Sequence, residues 1–191
     1  MTVIDFTPAT RRLVELLAGV TDAQLTNRTP CAEFSVADLV NHIDGFATAF
    51  TAAARKDFGP ATSATPAAPS DLSPAWRTTV PAKLDTLAES WAEPDAWTGT
   101  TRAGGVDLDA AIMGRFALDE LVVHAWDLAQ ATDQPYTCDQ ASLDVVEALV
   151  TPQANGDPSG PFGPPVAVPA DAPQLDRVIG YTGRDPRWTV V

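Results

Sequence analysis

Histidine is scarce in this chain, with two residues among 191. Any function that needs an imidazole, as a ligand or as a group titrating near neutral pH, is therefore confined to His42 and His124. Cysteine is equally rare. Cys31 and Cys138 stand far apart with no CxxC spacing, which argues against a thiolate-built metal site or a disulfide framework and leaves free, partly buried thiols. Basic residues are outnumbered, 12 lysines and arginines against 25 aspartates and glutamates, for a net charge of −13. Such a surface repels phosphate backbones and anionic membranes over about 8–10 Å in physiological salt, so nucleic acid and membrane are not expected partners. Long apolar runs are missing too: no window approaches the roughly 20 residues that span a bilayer. The opening MTVIDFTPATRRL lacks the basic segment and apolar core of a secretory leader. A cytoplasmic protein is expected, and the length suits one domain over residues 1–191.

What the chain does contain is helix. The first begins with Thr7 as N-cap and Pro8 at the first helical position, carries Leu13, Val14, Leu16 and Leu17, and stops at Gly19. A short turn follows over Thr21–Leu25, where Thr21 and Gln24 have capping-box spacing. The second helix opens on a Ser35/Asp38 capping box and keeps a 3.6-residue apolar period through Val36, Leu39, Val40, Ile43, Phe46, Ala47 and Phe50, ending near Arg55. His42 falls about 40° outside that stripe, beside Phe46, at the edge of the core. Residues 57–74 are rich in proline and small side chains and read as a mobile linker. A third helix starts at Ser73 and Pro74, with Trp76, Val80, Leu84, Leu87 and Trp91 as its buried stripe and Pro81 expected to break or kink it. WTGTTRAGGVDL suits a small β-hairpin turning at Gly104 and Gly105. A fourth helix spans Asp109 to Thr132 and a fifth Asp139 to Val150. After an irregular segment over 151–172, a last short helix carries Leu175, Val178 and Ile179. Four long helices and at most one hairpin predict an all-α helical bundle with long connections, whose sites lie between facing helices.

On the fourth helix, at roughly 100° per residue, Glu120, His124 and Asp127 share an arc of about 60° set among apolar neighbours. Asp119 falls elsewhere, four residues after Arg115, in the spacing of an exposed pair. Asp119 is thus expected to face water and Glu120 to be buried. A buried carboxylate needs a compensating partner or cation. Glu120 and His124, at i and i+4, project in parallel and can grip one divalent ion, with His42 of the other amphipathic helix as the remaining imidazole. The competing reading of the same spacing is a boundary histidine hydrogen-bonded to a carboxylate one turn away.

Three stretches in order, TPCAEFSVADLVNHI, ELVVHAWDLAQATDQ, and FGPPVAVP leading to LDRVIGYTGRDPRW, resemble the DinB-like metal-binding proteins, in the branch related to mycothiol-dependent maleylpyruvate isomerase. The resemblance spans nearly the whole chain. It implies a DinB-like four-helix bundle holding a divalent metal, zinc first and nickel or iron as alternatives, on His42, Glu120 and His124. It also implies a small thiol, mycothiol, as cosubstrate, with the metal stabilising its thiolate for transfer to, or isomerisation of, a small-molecule substrate. Asp127 is then either an outer partner of the ligands or a proton-handling group, and Arg184 and Arg187 either hold an anionic substrate group or act as ion-pair partners. Trp126 either lines the cofactor pocket or packs in the bundle, and Cys31 either approaches the metal or fills space. The chain ends at Val191 without room for the isomerase's C-terminal domain, so maleylpyruvate is not the expected substrate. A non-catalytic metal-binding or stress-related module and a metal-assisted hydrolase are the alternatives, and members of the wider family occur as monomers and homodimers.

Overall fold

Alternating capping signals and apolar stripes fold into helices where the sequence places them. The structure, a computed structural model, describes residues 3–63, 72–154 and 162–190. Helix α1 covers Thr7–Gly19, α2 Val36–Ala54, α3 Pro60–Ser63, α4 Trp76–Ala92, α5 Ala110–Ala131, α6 Gln140–Ala154 and α7 Gln174–Tyr181. Strands β1 (Thr100–Ala103) and β2 (Val106–Asp109) form one antiparallel hairpin, Thr101 opposite Leu108 and Ala103 opposite Val106. Gly104 and Gly105 take φ of 57° and 78°, the two consecutive positive values that a tight two-residue hairpin turn demands.

Helices α1 and α2 each pack on both α4 and α5, so the order around the bundle is α1, α4, α2, α5. Its core holds Leu13, Leu16 and Leu17 from α1, Leu39, Val40 and Ile43 from α2, Leu84, Leu87 and Trp91 from α4, and Leu118, Leu121 and Val122 from α5. Outside this ring α6 lies on α5 and α7 on α6. The architecture is the all-α bundle with one small hairpin that the sequence predicts. Among the described residues no helix is long and apolar enough to cross a membrane.

The caps explain the helix ends. Ser35 Oγ accepts from the Asp38 amide at 3.2 Å while Asp38 Oδ2 accepts from the Ser35 amide at 3.0 Å, the reciprocal box read from the sequence. Asp109 Oδ1 accepts from the Ala111 amide and starts α5, which ends on Thr132 as C-cap. The Thr21 amide donates to Gln24 Oε1 ahead of a 3₁₀ turn over Asp22–Thr26.

Several boundaries differ from expectation. Helix α1 already includes Thr7, whose amide donates to Asp5 Oδ1, so Asp5 serves the end assigned to Thr7. Helix α4 begins at Trp76, two residues after Pro74, with Ser73 Oγ accepting from the Ala75 amide in the preceding turn. It also runs unbroken through Pro81. Proline inside a helix costs about 3 kcal/mol, whereas Trp76, Val80, Leu84, Leu87 and Trp91 are all buried, each contributing roughly 1.5–3 kcal/mol. Packing wins. The segment 57–74 is not wholly a linker: Pro60–Ser63 forms α3, Thr62 is buried with its carbonyl accepting from the Gly105 amide at the hairpin turn, and residues 64–71 lie outside the described residues. Helix α6 continues past Val150 to Ala154, with the Thr151 hydroxyl donating to the Glu147 carbonyl. Of the irregular stretch, 155–161 lies outside the described residues and 162–172 has no regular structure.

Candidate metal centre

Two adjacent helices deliver three donors to one point. His42 comes from the second turn of α2, fixed by the Ser35/Asp38 box, and Glu120 and His124 come from successive turns in the middle of α5. His42 Nε2 lies 3.1 Å and His124 Nε2 3.0 Å from the same oxygen, Glu120 Oε2. One donor atom from each of the three residues lies within 4.8 Å of the others. Bonds of roughly 2.0–2.1 Å set tetrahedral ligands about 3.3 Å apart, close to this spacing, so two imidazoles and a carboxylate fit one borderline divalent ion. Side-chain exposure falls from 30% at Glu120 and 17% at His42 to 8% at His124 and 0% at Asp127. The centre therefore opens to solvent past Glu120 and His42 and is closed behind His124.

The ring positions follow from aromatic packing. Phe46 stacks on His124 with centroids 6.2 Å apart and meets His42 edge-on at 5.7 Å, and Phe34 flanks the outer side of His42 at 5.4 Å. Behind the centre, His124 Nδ1 faces Asp127 Oδ2 at 2.9 Å. That contact keeps a proton on Nδ1, so Nε2, which donates to Glu120 while it is protonated, is the nitrogen whose lone pair would face an ion held there. Arg184 closes the chain of contacts: its Nε donates to Asp127 Oδ1 at 3.2 Å, one terminal nitrogen to Asp127 Oδ2 at 3.0 Å and the other to the Thr182 carbonyl at 3.0 Å.

The electrostatics match this geometry. Burial disfavours ionised Glu120, but hydrogen bonds from His124 and His42 outweigh it and hold the carboxyl well below its usual range. Burial likewise opposes charge on His124, yet Asp127 and Glu120 raise it to about 9. Asp127 stays ionised despite burial because His124 and Arg184 both favour the carboxylate. An ion occupying the centre has to displace the proton that His124 otherwise shares with Glu120.

The sequence-derived set of His42, Glu120 and His124 is thus brought together. Trp126 is only 3% exposed and packs inside the protein. Cys31 is half-buried and not among the converging donors; burial and the Asp127 charge push its thiol up. Two placements differ from expectation. Glu120 is partly open to solvent, and Asp119 is 4% exposed; among the described residues its Oδ1 has no hydrogen-bond partner and it makes no bond to Arg115. A wheel of α5 alone does not show what lies nearby: Phe162 stacks on Phe116, Arg184 reaches Asp127, and the Arg184 charge also acts on Asp119. Sequence reading passed over Phe34. Its signal was its place directly before the Ser35 N-cap, where an apolar residue commonly packs back on the helix.

Residues 6–129 match the family described as the mycothiol maleylpyruvate isomerase N-terminal domain. Uncharacterized proteins from two Mycobacterium tuberculosis strains, CDC 1551 / Oshkosh and ATCC 25618 / H37Rv, are each 30% identical over 187 residues, covering 90% of this chain and 91% of theirs. No solved structure gives a significant match. With the family match covering all three converging donors, the chain belongs to the mycothiol maleylpyruvate isomerase N-terminal domain family.

Proposed function

We propose that this protein binds one divalent ion, zinc by preference, on His42, Glu120 and His124 and uses it to activate a small thiol, mycothiol, for transfer to or isomerisation of a small-molecule substrate. The observation that carries the reading is the convergence of two Nε2 atoms on one carboxylate oxygen beside an open, partly solvated edge. A bound divalent ion would supply Lewis acidity, lowering the pKa of a coordinated thiol so that thiolate exists at neutral pH. The protein's own residues do the rest. Glu120 and His42 line the approach for the thiol, Phe34 and Phe46 keep water from the flanks of the rings, and Asp127 holds the proton of His124 on Nδ1. Asp127 is fully buried with both oxygens engaged, which suits holding His124 better than exchanging protons with a substrate. Nickel or iron would suit the same nitrogen and oxygen donors.

The test uses cobalt-loaded protein titrated with mycothiol. The reading predicts a new sulfur-to-metal charge-transfer band in the near ultraviolet, absent with the S-methylated thiol. An unchanged cobalt spectrum at saturating thiol contradicts thiol activation and favours metal-assisted hydrolysis or a non-catalytic metal-binding module.

A further inference from the structure

The family match ends at residue 129, yet the contacts around His124 do not. Helix α7 closes in a Schellman arrangement: the Gly183 amide donates to the Gly180 carbonyl at 3.1 Å and the Arg184 amide to the Ile179 carbonyl at 3.2 Å. Gly183 takes the left-handed conformation this turn needs, at φ 83°, and a Cβ there would lie 3.1 Å from the Gly163 backbone. The turn is braced from the other side, where the Val166 amide donates to the Gly180 carbonyl at 2.9 Å and a Cβ at Gly180 would collide with Val168. The backbone of Arg184 is therefore fixed, and its side chain, 14% exposed, is aimed inward at Asp127.

We propose that Arg184 is a positioning residue for the metal centre: its two-pronged grip on Asp127 fixes the carboxylate plane, and through Oδ2 it fixes the His124 ring with Nε2 toward the ion. This rests on the metal-binding reading above. A carboxylate held by one hydrogen bond can turn about its own axis; one held by both prongs of a guanidinium cannot. Asp127 Oδ2 accepts from Arg184 and faces His124 Nδ1 together, so that rotation would carry it off the ring. Residues that orient a ligand histidine in this way typically change metal affinity 10–100-fold, by rough precedent. The charge of Arg184 alone acts in the opposite sense, since a cation near the centre repels the ion. Geometry and charge are therefore separable.

The experiment compares zinc affinity, by competition with a chromophoric chelator, in the wild type, Arg184→Lys, Arg184→Met, Asp127→Asn and the double variant Asp127→Asn/Arg184→Met, each checked by circular dichroism. Lysine keeps the charge but loses the fork. The expected result is at least about tenfold weaker binding in Arg184→Lys and in Arg184→Met, with no further loss on adding Arg184→Met to Asp127→Asn. Should Arg184→Met not fold, the lysine variant and the double variant, which leaves no carboxylate unpaired, still decide. Wild-type affinity in Arg184→Lys, or an additive loss in the double variant, overturns the positioning role while metal binding stands. Absence of zinc binding by the wild type overturns both readings.

Discussion

Asp119 and Glu120 are neighbours on α5 and experience opposite fields. Glu120 receives two imidazoles and is held ionised, whereas Asp119, buried and beside the Glu120 charge, is pushed up to about 8. An unfolded aspartate titrates near 3.9, so between about pH 4 and pH 8 the native state keeps a proton that the unfolded chain releases. Stability from this group is full below that window and falls as pH rises through it. Asp119→Asn removes the dependence. In metal-free protein the variant's melting temperature is expected to match the wild type near pH 4 and to exceed it increasingly toward pH 8, the difference in unfolding free energy widening by at most about 1.4 kcal/mol per pH unit. Thermal melts of the two proteins across that range check this. A constant gap at all pH values would mean that Asp119 is ionised in the folded protein.

Helix α5 carries the centre, and its placement depends on one close approach. A Cβ on Gly114 would lie 2.6 Å from Trp97 and 2.8 Å from Trp91, two fully buried indoles stacked edge to face at 5.0 Å. Gly114→Ala is expected to cost about 1–3 kcal/mol as overpacking, seen as a lower chemical-denaturation midpoint, despite alanine's better helix propensity. An unchanged or higher midpoint would show that the indoles yield. The elements most legible in the sequence were those with local signals: the Ser35/Asp38 box, the Thr21/Gln24 pair and the Gly104-Gly105 turn each specify their own geometry within four residues. Spacing on α5 and the edge position of His42 pointed to the three converging donors for the same reason. The continuity of α4 through Pro81, the docking of Thr62 on the hairpin and the burial of Asp119 were not legible, because each is decided by contacts far along the chain. No window around Arg184 shows that it reaches Asp127, 57 positions away.

At the scale of the whole molecule, a filled centre would tie two helices of the bundle together. His42 belongs to α2 and Glu120 and His124 to α5, so an ion held by all three links two helices, and Arg184 adds the C-terminal segment through Asp127. An ion that binds only the folded chain stabilises it by mass action, about 2.7 kcal/mol at a hundredfold excess over Kd. For a protein of this size that amounts to a rise of roughly 5–10 °C in melting temperature. The measurement that bears most directly on the central claim is isothermal titration of chelator-treated protein, purified without a nickel column, with zinc. The expected result is one ion per chain, released protons in proportion, and binding lost in His42→Ala and in His124→Ala with the helical fold retained. No binding by the wild type, or equal binding by the alanine variants, would contradict the assignment of this centre.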